Sequence, residues 1–329
     1  MSTAARKSFA LPSGPVLGLI GVLVLLLILV GIKGELGNFL KAGNLRVLVH
    51  EGTIPAVLSL GMLLVIISGG IDLSVGAVVA LVTVVTMRVY SHFYPLLGVE
   101  QSSLLAVAAG ILIGGVCGLA NGLLVTRLRL PSFVVTLGMM SIARGSAIWL
   151  AERTLLAFPV GGRPEWVQSL AVSQLGNPGF LSAIILAELT ALLLVATRFG
   201  RHLYAVGSNE ATARLCGVNV LRTKVFAYTI NGLLAGWAGI LLFTHGDSGN
   251  PSAAEGMELT VIAAVVIGGA SLTGGRGTVM GAVIGVLILG LLANGVSLFN
   301  VPVEVQYILM GAIILVNAAL SRWQRPDAG

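Results

Sequence analysis

Long apolar runs constrain this chain more than any other feature. They fall at residues 14–32, 53–70, 73–90, 103–126, 132–150, 180–197, 225–243, 258–271, 277–299 and 303–320. A helix rises ~1.5 Å per residue, so most of these runs match a hydrocarbon layer about 30 Å thick. Only 10% of the 329 residues are charged, and the mean hydropathy is +1.00. Soluble domains carry about 25% charged residues. This chain has too few to cover a water-facing surface, so lipid is its main solvent. The expected fold is an all-α membrane protein with about ten transmembrane helices in one domain, 1–329. The 44 glycines suit close helix–helix approach in that setting.

The net charge is +6. The basic residues sit in short loops between apolar runs with few aromatics among them, a pattern that points to a bilayer and away from nucleic acid. With the N-terminus placed in the cytoplasm, the inner loops hold Arg6 and Lys7, Arg127 and Arg129, Arg198, Arg201, Arg214, Arg222 and Lys224, Arg276, and Arg322 and Arg325. The outer loops 244–257 and 300–302 hold no Lys or Arg. The count fails only at 33–52, where Lys33, Lys41 and Arg46 fall outside, and residues 39–49 are expected to form a short interfacial helix there. The first run follows Arg6 and Lys7 as a signal peptide would, but no small-residue cleavage site comes after it, so it reads as an uncleaved span. Cys117 and Cys216 are expected to stay reduced.

Two polar, Gly-rich interruptions stand out. One is Ser68-Gly69-Gly70-Ile71-Asp72-Leu73-Ser74, between two apolar runs. The other opens at Gly268-Gly269 and continues through Gly277. Together they give a weak internal repeat, with halves at about 45–150 and 225–321. Interrupted spans in corresponding halves mark a membrane transport device. Asp72 admits two readings: an acid in the transport path, or an N-cap or inter-helix lock near the inner end of its span, which is the preferred one. Asn121, Ser141, Asn231 and Asn294 lie inside apolar runs. They read first as interhelical hydrogen-bonding groups and second as contacts for a hydroxyl-rich solute. Arg144 is expected to snorkel or pair. The outer loop 244–257 reads equally as a gate or docking surface and as a plain solvated loop.

The inner loop 198–224 contains a helical stub. Ser208 or Asn209 caps it, Glu210 occupies its first turn, Glu210 and Arg214 are spaced to pair, and Gly217 ends it. A polar start and an apolar flank at Ala213 and Leu215 suit a knob seated on a cytoplasmic partner. A solvated connector is the alternative.

Four stretches resemble the permease family of bacterial ABC importers for ribose and related sugars: LVIISGGIDLSVGAV at 64–78, LPSFVVTLGMMSIARG at 130–145, AVGSNEATARLCGVNV at 205–220 and IAAVVIGGASLTGGRGTVMGAVIG at 262–285. Branched-chain amino-acid permeases share a looser form of the third, and GGIDLS fits the sugar group better. The resemblance implies a multi-pass inner-membrane subunit with both termini cytoplasmic. It works in a dimer with a second copy or a paralogue, driven by cytoplasmic ATP-binding subunits and fed by a periplasmic or extracellular substrate-binding protein. It identifies the stub as the coupling helix, carried by Asn209, Glu210, Ala213, Arg214, Leu215 and Gly217. The family's GGNEEAAR appears here with Ser208 and Ala211-Thr212 in place of its second Gly and acid pair.

No cofactor, metal site or catalytic set is expected. The Gly-rich segment 268–278 lacks the Lys-Ser/Thr of a phosphate loop and reads as a tight turn. His50, His92, His202 and His245 are scattered over loop ends. The competing functions are an importer permease for a nucleoside or sugar-derived signal, an ion-coupled carrier and a transport-inert scaffold. A carrier needs a midplane acid pair or cation cage, and Asp72 has no obvious acidic partner in the sequence.

Overall fold

The computed structural model describes residues 14–171 and 177–299, together with Val305, Ile308 and Gly311. Arg6, Lys7, Arg322, Arg325 and most of the run 303–320 lie outside these residues. The elements in chain order are α1 (Gly14–Ile32), α2 (Leu36–Phe39), α3 (Ala42–Ile67), α4 (Val75–Arg127), α5 (Ser132–Leu150), β1 (Leu156–Ala157), α6 (Glu165–Leu170), α7 (Pro178–Ala196), α8 (Arg198–Ser208), α9 (Glu210–Leu215), α10 (Val220–Gly246), β2 (Ser248–Gly249), α11 (Met257–Ile267) and α12 (Val279–Leu298). Seven of these helices are long and apolar enough to cross a membrane. The count of ten is not reproduced as such. The expected runs at 73–90 and 103–126 are two limbs of α4, and 258–271 is the short α11. The interfacial helix expected at 39–49 is also absent, because α3 begins at Ala42 and runs on through Pro55 into its span.

At 53 residues α4 would extend ~80 Å as a straight rod, far more than a bilayer. It turns back at Gly98, the one residue inside it with non-helical backbone (φ 75°). A Cβ on Gly110 would meet Thr86 and lie 3.3 Å from Val82, so the limbs pack antiparallel. The second limb then packs on α10 through glycines. A Cβ on Gly114 would lie 2.9 Å from Gly236 Cα, and one on Gly118 would lie 2.9 Å from Gly232 Cα. Backbone meets backbone there, as small residues permit in lipid. Gly281 and Gly285 of α12 bring it equally close to Gly268 and Ala264.

The loop 244–257, expected on the outer side, is not a plain solvated connector. It folds down beside the first limb of α4, where Asn250 N donates to Thr83 Oγ1 (3.1 Å) and a Cβ on Gly249 would lie 3.0 Å from Met87 Cβ. The Ala254 carbonyl reaches Gly76. From Met87 to Gly76 is eleven helical residues, ~16 Å of depth. α11 then adds its own 11 residues. Residues 247–267 therefore make one discontinuous crossing, half irregular and half helix. The paired strands β1 and β2, two residues each, pin this segment to the 151–164 loop, with Leu156 opposite Gly249.

Candidate functional site

The α3–α4 break closes by turn chemistry. Gly69 takes φ 81°, and Gly70 N and Gly69 N donate back to Val65 O (3.0 Å) and Ile66 O (2.9 Å). The α11–α12 break begins the same way. Gly269 takes φ 93°, and Ala270 N and Gly269 N donate to Val265 O (3.1 Å) and Val266 O (2.9 Å). Each pattern satisfies helix-end carbonyls that lipid cannot.

Asp72 is 2% exposed and gathers donors from three elements. One carboxylate oxygen accepts from Ser74 N (2.8 Å) and Ser74 Oγ (2.6 Å). The other accepts from Asn231 Nδ2 of α10 (2.8 Å) and Asn121 Nδ2 of α4 (3.4 Å). Asn121 also donates to Ser74 Oγ (3.0 Å). A buried carboxylate is tolerated when its lone pairs are filled this way. The sequence places Asn121 and Asn231 in separate apolar runs, and the fold brings both onto Asp72. Asn294 pairs reciprocally with Asn44 of α3 (2.9 and 2.8 Å), joining α12 to α3. Ser141 stands apart from these groups, on an exposed face of α5, bonded to its own helix at Leu137 O (3.3 Å). Arg144 does not snorkel: it donates to Pro251 O (2.8 Å) and Ala253 O (3.0 Å) and holds the descending loop.

The stub is α9. Asn209 Oδ1 accepts from Thr212 N (2.9 Å), and Glu210 meets Arg214 (3.1 Å). Gly217 takes φ 81°, and Val218 N returns to Ala213 O (3.0 Å). Lys224, at the start of α10, also grips Glu210 (2.6 Å), a tie that sequence spacing did not reveal. This hydrogen bond is the first reason that the Glu210 carboxyl lies below its ordinary range, and partial burial opposes it. The apolar flank is corrected. Ala213 is 4% exposed and packs on Val206 and Val220, whereas Leu215 is 89% exposed on the opposite side. A helix of 100° per residue sends positions two apart to opposite faces, so the two cannot share one contact. Leu215 is the outward-facing group.

A cleft of about 820 Å³ runs from Glu210 and Arg214 past Arg129 and Ser132 to Gly69, Gly70 and Tyr228. It joins the stub to the first break. Sequence reasoning missed two further features. His50 and His245 stack with centroids 4.0 Å apart. Glu188 sits exposed in the middle of α7 between Ile184, Ile185 and Leu189. Among the described residues no group of three or more His, Cys, Asp or Glu is placed to hold a metal.

Broken spans, polar locks within apolar helices and a projecting stub define a multi-pass membrane permease. The chain belongs to the family described as the permease component of the branched-chain amino acid transport system, whose model matches residues 45–318. It is 37% identical over 301 residues to the ribose import permease protein RbsC of Escherichia coli (strain K12), covering 89% of this chain and 90% of that one. It is 38% identical over 317 residues to the RbsC of Bacillus subtilis (strain 168), covering 94% and 92%. It is 35% identical over 314 residues to the fructose import permease protein FrcC of Rhizobium meliloti, covering 93% and 85%. No solved structure matches it. The protein is thus an inner-membrane ABC importer permease, the membrane-spanning part of its transporter rather than the ATPase.

Proposed function

We propose that this chain carries a monosaccharide across the inner membrane as one of two permease subunits, copies or paralogues, that enclose one path. Two cytoplasmic ATP-binding subunits drive it and a soluble binding protein supplies the substrate. The observation that carries this reading is the likeness over nearly the whole chain to importer permeases named for ribose, fructose and L-arabinose. Three sugars at 34–37% identity identify the class and leave the particular sugar to the pathway residues.

In this reading both termini are cytoplasmic and α9 docks on the ATP-binding subunit through Asn209, Glu210, Arg214 and the outward Leu215, with Ala213 and Gly217 shaping the stub. Closure of the ATPase pair moves the stub and shifts the permease between two packed states. Ser68, Gly69, Gly70, Gly268 and Gly269 are the breaks about which the spans rearrange. Asp72, Asn121, Asn231 and Asn294 hold helices in register, and Ser141 is a candidate pathway hydroxyl.

The test is ATP hydrolysis by the complex in nanodiscs, with its binding protein, across ribose, fructose, arabinose and a nucleoside. Stimulation by one monosaccharide supports the reading. Stimulation by the nucleoside alone moves the substrate class, and purified, transport-active permease without any ATPase companion ends it.

A further inference from the structure

The end of α8, just before the stub, is in backbone contact with both breaks at once. A Cβ on Gly207 would collide with Ile67 O, the last carbonyl of α3, and lie 2.5 Å from Gly275 N of the second break. Gly275 N donates to that same Ile67 O (2.9 Å), so the two breaks are hydrogen-bonded to each other. A Cβ on Gly274 would lie 2.7 Å from Gly207 O and 3.0 Å from Gly69 Cα, and one on Gly275 would lie 2.9 Å from Ser208 Cα. Gly69, Gly274 and Gly275 all have positive φ (81°, 88° and 74°), which side chains rarely adopt. One side chain reinforces the junction: Tyr204 of α8 donates to Gly277 O (2.7 Å), in the stretch of backbone that packs on Leu63 and Ile67.

We infer that Gly207, with Gly69, Gly274, Gly275 and Tyr204, is a rigid junction that carries displacement of the stub into both broken spans together. The inference rests on the coupling role proposed for α9. The physical reason is contact length. Side-chain packing gives way by rotamer changes, but backbone against backbone leaves no slack, so a shift of α8 must move Ile67 and Gly275 as well. α8 continues into α9 through Asn209 alone, which is at once the C-cap of the first and the N-cap of the second. In this arrangement Gly207, Gly274 and Tyr204 are positioning residues that touch neither substrate nor nucleotide.

The experiment uses the complete complex in nanodiscs and measures sugar transported per ATP hydrolysed. Tyr204→Phe removes one hydrogen bond at nearly constant shape, and Gly207→Ala wedges the junction apart. Both complexes should keep their ATPase subunits and their basal hydrolysis. Tyr204→Phe should lower the transport-to-hydrolysis ratio about threefold and Gly207→Ala tenfold or more, with Gly138→Ala, where a Cβ meets open space, at the unsubstituted ratio. An unchanged ratio in Tyr204→Phe overturns the inference whether or not Gly207→Ala accumulates. So does a loss of abundance with a normal ratio in the surviving complexes. If the unsubstituted permease holds no ATPase, the coupling reading itself falls, an outcome seen before any variant is compared.

Discussion

Asp72 separates a structural lock from a transport-path acid. Asp72→Ala strands the Ser74 N–H and hydroxyl and the Asn231 amide donor, while Asn121 keeps its bond to Ser74 Oγ. Stranded buried donors cost about 1–3 kcal/mol each in soluble proteins. Interhelical bonds in lipid are worth less, averaging ~0.6 kcal/mol. The two together place Asp72→Ala at about 2–3 kcal/mol of lost stability, a factor of roughly 30–150 in the folded-to-unfolded ratio. Asp72→Asn should behave differently. The Asn121 and Asn231 carbonyl oxygens have no partner in the structure. Turning the Asn231 amide over would present its oxygen to the amino group that the substitution introduces, while the carbonyl of the substituted side chain keeps Ser74. Three of the four bonds at position 72 survive, only the long one from Asn121 (3.4 Å) being lost, so the cost should stay below that of Asp72→Ala, at about 1 kcal/mol. The assay is unfolding in mixed micelles titrated with a denaturing detergent and followed by tryptophan fluorescence. Asp72→Ala at full stability would refute the lock. Asp72→Asn as damaging as Asp72→Ala would refute the amide exchange. Asp72→Asn that folds normally but fails to transport would return Asp72 to the path.

Glu210→Gln keeps the cap and loses the pairs to Arg214 and Lys224. The Arg214 pair is exposed and the Lys224 pair partly buried, so abundance should change little (about 0–1 kcal/mol) while coupled transport falls severalfold in a vesicle uptake assay. The Glu210 carboxyl is depressed from 4.5, so its contribution is complete above that value and fades as pH falls through the lower folded value. Coupling should therefore show no Glu210 step between about pH 5 and 8, and a step near neutrality would contradict the Lys224 tie. Gly118→Val drives a branched side chain into the Tyr228 carbonyl and Gly232 backbone, and should cost roughly 1–3 kcal/mol or more by overpacking. Gly138→Ala is the silent control in fluorescence-detected size exclusion. Cys216 is exposed and Cys117 buried, so an impermeant maleimide should label Cys216 alone, from the cytoplasmic side only, and more slowly once the ATPase is bound. Labelling from the outer side would invert the proposed orientation.

The class of fold was legible because it depends on composition, and apolar runs of bilayer length have few alternatives. The stub was legible too. Its cap, first-turn acid and terminating glycine are local signals, and Asn209, Glu210 and Gly217 take up those positions. What depended on pairing between distant segments was not. Nothing in the spacing of Asp72, Asn121 and Asn231 indicates that three elements converge on one carboxylate, nor that Lys224 reaches back to Glu210. For the loop 244–257, polarity left a gate or docking surface and a solvated loop equally open, because polarity resembles solvation. Its polar backbone is in fact satisfied by Thr83 and Arg144 inside the protein. Ala213 and Leu215 were grouped by apolarity although their separation of two residues assigns them to opposite faces.

These features bear on where such a protein can move. The α4–α10 seam is glycine packed on backbone, and sliding it would need each closely seated pair to separate. The irregular segments 68–74, 247–256 and 268–278 are different, because turn bonds within each are supplemented by only a few ties to neighbours, such as Thr83 and Arg144 on 247–256 and Ile67 on Gly275. Rotation of such a segment exchanges those few ties and keeps its turn bonds, which limits the amides left bare to lipid, the largest penalty available in this environment. Two of the three meet at Gly207, and the third is tethered by Arg144 to α5 and lies against Gly76, just beyond the Asp72 lock. On the proposed coupling role, a push at the stub should reach the ends of α3, α4, α11 and α12 through backbone and leave the α4–α10 seam still. If spans rearrange in transport, the rearrangement should centre on α11 and the two breaks. Spin labels on α4 and α10 should then keep their mutual distance through the ATP cycle while labels on α11 change theirs relative to α10. A change of several ångströms across the α4–α10 seam would defeat this division between frame and moving part.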